Sequence, residues 1–274
     1  MLGKGSFGEV FQATDLNTGD SVAVKFECRL NNPPRQLLYE SKLYELFRDI
    51  QQIPKCYGHG KVVKEGVPHH YLVLQRVGKS FQELPRIDET EACALGILAL
   101  EALEQLWKVG VCHRDIKPAN ICFGTGDDAS KVYLLDFGLA KKFRRSDGSH
   151  IPIRRDKHMT GTPRYASLRV SNGFEQAPRD DFEGLLYVLV YMIKGRLPWQ
   201  GIDASNKETK HKRIAQKKAT TPLGELLSGM DEKWVSLLEY ARNVPYEDVP
   251  TLGRRHFRRI LMRLKRKKEN TTDV

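Results

Sequence analysis

The chain has 274 residues, 40% of them hydrophobic, and a formal net charge of +11. That is globular composition, long enough for one large or one two-lobed domain, and it excludes disorder over most of the span. The longest apolar run, Leu185 to Ile193, is far too short to cross a bilayer, and Met1-Leu2-Gly3 leads directly into a glycine-rich stretch rather than a signal peptide.

The five cysteines, Cys28, Cys56, Cys93, Cys112 and Cys122, include no C-x-x-C pair. They argue against a zinc site or a disulfide framework and suit the cytoplasm or nucleus. The positive charge calls for an anionic partner without naming it. Nine of the fifteen residues from Arg254 to Lys268 are Lys or Arg, and a solvated basic helix end is the plain reading of that run.

In chain order, Gly3-Lys4-Gly5-Ser6-Phe7-Gly8-Glu9-Val10 is G-x-G-x-x-G-x-V. Dinucleotide-binding folds also use G-x-G-x-x-G, but there it opens a helix. Here it leads into a strand, V-F-Q-A-T-D, a turn at Asn17-Thr18-Gly19-Asp20, and a second strand, Ser21 to Glu27, which carries Lys25 in V-A-V-K. Glycines let backbone close over phosphates without Cβ clashes. Arg35 to Asp49 reads as a helix with an apolar stripe of Leu38, Leu43, Leu46 and Phe47. Glu40 and Glu45 on it are both candidates to pair with Lys25. Tyr71 to Val77 reads as a strand, and His69-His70 before it as loop residues without partners at metal spacing. Asp88 and Glu91 form an acidic capping box for a helix reaching Trp107, with Ala92, Leu95, Ala99, Leu103 and Leu106 on one face.

His113 to Asn120, H-R-D-I-K-P-A-N, comes next, and the strand K-V-Y-L-L-D then leads to Asp136-Phe137-Gly138. The two stretches match the catalytic loop and metal-binding turn of a protein kinase. In phosphoryl transfer the migrating group carries dispersed negative charge, so a protein must align two oxygens and supply positive charge. Asp115 would accept the proton of the incoming hydroxyl, Lys117 would neutralise charge on the phosphoryl group, and Asn120 and Asp136 would offer oxygen to magnesium. Asp181 to Ile193 is apolar almost all round, as in a buried helix. Further helices are expected around Thr220 to Leu227, Trp234 to Arg242 and Leu252 to Lys268.

The chain resembles serine/threonine protein kinases of the casein kinase 1 group over nearly its whole length. The group signal lies in E-C-R-L after V-A-V-K-F, L-L-Y-E-S-K-L-Y, D-F-G-L-A-K-K-F, H-I-P-I-R-R-D-K-H-M-T-G-T-P-R-Y-A-S, R-D-D-F-E-G-L-L-Y-V-L and G-R-L-P-W-Q-G-I. Tyr165-Ala166-Ser167 stands where most kinases have A-P-E. The resemblance implies an α+β, bilobal protein-kinase fold over residues 1–268. Its small antiparallel N-lobe would be 1–77 and its helical C-lobe 78–268, with a polar tail at 269–274.

It also implies ATP held by Leu2, Gly3, Lys4, Gly5, Ser6, Phe7, Gly8, Val10, Ala23, Lys25, Leu74, Gln75, Val77 and Asp136, with Glu40 orienting Lys25. Mg²⁺ would sit on Asn120 and Asp136. Asp115, Lys117 and Asn120 would form the catalytic set, and Lys117 with Thr162 resembles the pair that marks serine/threonine specificity. Asp181 looks like the buried anchor of the catalytic loop. Arg164 and Lys210 match a pocket for acidic or phosphorylated sequences upstream of the target serine, in which an Arg fork would chelate phosphate and a Lys would add a point charge. Protein substrates of that kind are the expected partners of a monomer without a membrane span, and nucleic acid is not expected, since neither C₂H₂ spacing nor an RNP motif is present.

The sequence departs from the group in three ways. Most of the first strand expected before the glycine loop is absent, Gln75 and Arg76 replace the usual hinge residues, and no long tail follows the domain. The alternative to an active kinase is a pseudokinase that scaffolds partners.

Overall fold

β-Branched and aromatic runs at the start of the chain build a sheet. The computed structural model describes residues 1–5, 8–28 and 36–272, in two units: Met1–Lys79 with Cys122–Gly138, and Ser80–Ile121 with Leu139–Val274. Residues Cys122–Gly138, which lie in the stretch expected for the second lobe, thus group with the first unit.

In the first unit β1 (Gly3–Gly5), β2 (Gly8–Thr14), β3 (Ser21–Cys28), α1 (Gln36–Leu46), β4 (Cys56–Lys64) and β5 (Val67–Gln75) follow one another. The strands form one antiparallel sheet in the order β1-β2-β3-β5-β4. Gly8 has φ +148°, and a Cβ on it would come within 1.9 Å of the Phe26 carbonyl oxygen, so the glycine is dictated by the neighbouring strand as well as by its own backbone. The register pairs Val10 with Lys25 and Ala23 with Leu74, which sets all four on one face of the pleat. The other face carries the edge-on rings of Phe11 and Phe26, with His69 and Tyr71 beside Phe26.

Two expectations are corrected here. The strand expected over Tyr71 to Val77 begins at Val67 and ends at Gln75, so His69 and His70 are strand residues and His70 is buried. The cause is a tight turn at Glu65 and Gly66, φ +52° and +76°, joining β5 to a β4 whose glycines and lysines hide its strand character. In α1 the buried stripe is Leu37, Glu40, Ser41, Leu43 and Tyr44, while Leu46 is exposed. A glutamate on the inward face is what obscures the period. Arg35 lies outside the described residues; the helix starts at Gln36, where the Gln36 and Leu37 N–H groups donate to the Glu27 carboxylate at 3.2 and 3.3 Å and satisfy two of its orphan donors.

Cys122–Gly138 joins this unit through its backbone. The Gly78 N–H donates to the Phe123 carbonyl, the Phe123 N–H to the Lys79 carbonyl and the Leu134 N–H to the Gln52 carbonyl, at 2.7, 2.9 and 2.9 Å.

The second unit is helical: α2 (Glu89–Lys108), α3 (Leu168–Ser171), α4 (Pro178–Lys194), α5 (Lys207–Thr220), α6 (Leu223–Leu226), α7 (Lys233–Asn243) and α8 (Gly253–Thr272). The capping box of α2 is formed, Glu91 N–H to Asp88 at 2.8 Å and Asp88 N–H to Glu91 at 2.9 Å. Ala92, Ala99, Leu103 and Leu106 on its inner face are fully buried, and Leu95 is half-buried. α4 is buried along nearly its whole length, and α2 and α7 pack on it. α8 closes the core with Phe257, whose ring meets Phe182 and Trp234 edge-on.

The helix expected over Thr220 to Leu227 is instead the end of α5 and the short α6, divided at Pro222. α5 itself is weakly marked in the sequence, because only Ile214, Ala215 and Lys218 on it are buried. Helix α8 runs past the expected Lys268 to Thr272. Among the described residues no helix is long and apolar enough to cross a membrane.

Candidate active site

Each unit carries one half of the expected chemistry. In the first, Lys25 projects from β3 and its ammonium meets two carboxylates, Glu40 Oε2 at 2.7 Å and Asp136 Oδ1 at 2.9 Å. Glu40, 1% exposed, uses its other oxygen to accept the Phe137 N–H at 3.2 Å. The Phe137 ring is fixed by Tyr44 and Phe47, centroids 5.5 and 4.8 Å away, so packing and ion pairing hold the Asp136 turn together. Burial works to lower the Lys25 pKa, but Glu40 and Asp136 outweigh it and hold the ammonium above the ordinary lysine range. Glu45, the other candidate partner, is exposed and lies near His59.

Val10, Ala23 and Leu74 share the sheet face of Lys25. Gly3, Lys4 and Gly5 form β1, and Gly8 opens β2. Leu2 is exposed, its N–H donating to the Val10 carbonyl at 2.8 Å. Ser6 and Phe7 lie outside the described residues. The Gln75 N–H is taken by the Lys55 carbonyl at 2.8 Å, so any backbone contact from Gln75 to a base runs through its carbonyl; Val77 follows it, half-buried.

In the second unit Asp115 is gripped from both sides. Its Oδ1 accepts from the Thr162 hydroxyl at 2.7 Å and its Oδ2 from the Lys117 ammonium at 2.6 Å. The Asn120 amide nitrogen donates to the Asp115 carbonyl at 2.9 Å. Gly161 has φ +88°, and a Cβ there would sit 2.3 Å from the Arg114 carbonyl oxygen, so only glycine lets Thr162 approach so closely.

Beneath this loop, Asp181 of α4 accepts the His113 and Arg114 N–H groups, each at 2.8 Å, and the Trp107 indole N–H at 3.1 Å. Arg114 takes a left-handed φ of +69°, a strained conformation for a long side chain that these bonds hold in place. Burial raises the Asp181 pKa, against the pull of His113 and the three donors.

A family model for the protein kinase domain matches residues 1–247. The chain belongs to the protein kinase family. Its antiparallel sheet unit and its mainly helical unit are the two lobes of the bilobal kinase fold. The kinase therefore acts as a phosphotransferase on protein substrates, and a kinase domain takes ATP as donor, typically with Mg²⁺.

The donor set suits that metal. Among the described residues no group of three or more His, Cys, Asp or Glu is placed to hold an ion. Asp136 in the first unit supplies the hard carboxylate oxygen that magnesium prefers. Magnesium needs no more from protein when phosphates complete its shell.

Arg164 is exposed, its guanidinium 5.7 and 5.5 Å from the ring centroids of Tyr165 and Tyr191, and Lys210 is exposed on α5. Among the described residues neither makes an ion pair, with each other or with a carboxylate. Three buried residues of the second unit escaped the sequence reading. Glu175, buried, is ion-paired with Lys141 at 2.9 Å and lies 3.8 Å from Lys157. Trp199 and Lys218, both buried, bond the backbone beside Arg164. Lys218 left a mark in the sequence, since it falls four residues after Ile214 on the sparse apolar stripe of α5, and Trp199 lies in the G-R-L-P-W-Q-G-I stretch.

Proposed function

We propose that this kinase transfers the γ-phosphoryl group of ATP to serine or threonine hydroxyls, as in the casein kinase 1 group that it resembles, and favours sites preceded by acidic or phosphorylated residues. The observation that carries the reading is the Asp115 carboxylate, held between the Lys117 ammonium and the Thr162 hydroxyl at 2.6 and 2.7 Å.

In the reaction the substrate oxygen forms a bond to the γ-phosphorus while the bond from that phosphorus to the β,γ-bridging oxygen breaks. The hydroxyl proton passes to Asp115, and ADP leaves. Lys117 places a positive charge beside Asp115, where negative charge develops on the phosphoryl oxygens. Lys25, fixed by Glu40, and the backbone of the glycine loop hold the phosphates. Magnesium on Asp136 and Asn120 would screen phosphate charge. Asp115 is a base only as long as its geometry holds, and Asp181 secures that through the His113 and Arg114 amides.

For substrate choice the support is the exposed guanidinium of Arg164, which makes no ion pair among the described residues, and the exposed Lys210. For location we propose the cytoplasm or nucleus, on the free thiols of Cys56, Cys93, Cys112 and Cys122.

Transfer from ATP-Mg²⁺ to a neutral, an acidic and a phosphoserine-primed serine peptide tests the reading, with threonine and tyrosine versions alongside. The wild type is expected to prefer the primed serine peptide over the tyrosine one. Arg164→Ala should lose roughly tenfold or more on the primed peptide and little on the neutral one, because a bidentate phosphate contact is among the stronger hydrogen-bonded pairs. Equal loss on both peptides would remove Arg164 from anion recognition. No transfer to any of them would leave the scaffold reading in possession.

A further inference from the structure

Lys218 is the kinase's most unexpected buried charge. Its side chain on α5 is 0% exposed, and among the described residues no carboxylate bonds to it. Glu183, the nearest acid felt there, accepts instead from the Tyr187 hydroxyl at 2.6 Å and from Arg242 at 3.3 Å. The Lys218 ammonium donates to the Pro163 carbonyl at 2.7 Å, to the Ala166 carbonyl and to the Ser171 hydroxyl at 3.3 Å. It lies over the rings of Trp199 and Tyr187, 5.2 and 5.3 Å from their centroids. The Trp199 indole N–H in turn donates to the Arg164 carbonyl at 2.7 Å. Two buried side chains thus take three main-chain carbonyls, those of Pro163, Arg164 and Ala166.

An isolated buried ammonium costs several kcal/mol, and a methionine would fill much the same space without that cost. Burial already draws the Lys218 pKa down to about 7. What methionine cannot do is donate three hydrogen bonds, which is what an ammonium has to give. The carbonyls it satisfies belong to the turn that begins at Thr162, whose hydroxyl bonds Asp115, and that turns the Arg164 guanidinium outward.

We propose that Lys218 and Trp199 are positioning residues for the protein substrate: by clamping the carbonyls of residues 163–166 they fix the turn that aligns the target hydroxyl with Asp115 and presents Arg164. The inference rests on the transfer reading above, and it separates the binding of the protein substrate from that of ATP.

The test compares the full chain with Lys218→Met and with Trp199→Phe, which keeps an aromatic ring but removes the N–H donor together with part of the indole. Steady-state transfer to the primed peptide gives KM for peptide and for ATP, and thermal unfolding reports the fold. Leaving a buried carbonyl unpaired is worth about a tenfold change per group. Peptide KM should therefore rise about tenfold or more for Lys218→Met and by several-fold for Trp199→Phe, while KM for ATP stays within twofold of wild type. A purely structural role would move both KM values, or only the melting temperature, and would overturn the proposal. If Lys218→Met does not fold, Trp199→Phe decides alone: a peptide KM within twofold of wild type defeats the clamp. If the wild type transfers no phosphate, the transfer reading falls separately. Fluorescence anisotropy of the labelled primed peptide on the same three proteins then reads the clamp as binding, with equal affinities counting against it.

Discussion

Asp115→Asn will fold as wild type does and lose about 10²- to 10⁴-fold in kcat, the range that a positioned general base and its charge supply. The change is nearly isosteric. An asparagine oxygen can still accept from Thr162, so the turn at Gly161 and Thr162 has no cause to move. What disappears is the negative charge proposed to receive the hydroxyl proton, which holds Lys117 at 2.6 Å. KM for ATP, whose proposed phosphate contacts are Lys25 and the glycine loop, should be unaffected. Steady-state transfer to a serine peptide measures this, and a variant that keeps more than a tenth of wild-type kcat would take Asp115 out of the base role.

Lys25→Met carries the second large effect, and it acts on stability as well as rate. Lys25 is 12% exposed in its side chain and neutralises Glu40, 1% exposed, together with Asp136. Removing it strands a buried carboxylate, for which a loss of about 3 kcal/mol is usual. With a domain of this size that corresponds to a fall in Tm of roughly 6–12 °C. Transfer should drop at least 10²-fold, by analogy with the loss of one preorganised electrostatic contact. The double variant Lys25→Met/Glu40→Gln separates the two effects, since it removes the stranded charge but restores no cation. Calorimetry should show much of the lost Tm recovered, and peptide assays should show no recovered transfer. Recovery of both would mean that Lys25 matters only as a counter-ion.

How far the sequence foretold these features depends on how local their signals are. The H-R-D-I-K-P-A-N and D-F-G stretches are short and chemically constrained, so the sequence already groups Asp115, Lys117 and Asn120, which the fold holds together, and singles out Asp136, which the fold sets against Lys25. The pairing of Lys25 with Glu40 rather than Glu45 was implied by the family resemblance and not by the local pattern. It depends on α1 turning Glu40 inward beside Leu37 and Tyr44, and an acid on a buried face masks the very period by which the helix is read. The capping box at Asp88 and Glu91 lies within one turn and was legible. By contrast, α5 holds seven charged or polar residues in a row from Lys207 to Arg213 and three more from Gln216 to Lys218. Its fold-defining contacts, Lys218 to the carbonyls of residues 163 and 166, reach 55 and 52 positions back along the chain. Nothing in the local pattern of α5 could show them. The strand identity of His69 and His70 was lost for a related reason: β4, which pairs with them, is built from G-H-G-K-V-V-K.

The grip of Asp181 on the catalytic loop has a consequence for motion. The His113 and Arg114 amides end on a carboxylate borne by α4, a helix buried along nearly its whole length. Loops ordinarily exchange their amide hydrogens through small local openings, whereas core helices do so only when a large cooperative unit comes apart. These two amides belong with the core. Against deuterium they would exchange on the slow timescale of α4, leaving a protected island within an otherwise fast-exchanging loop, directly beside Asp115, the proposed base.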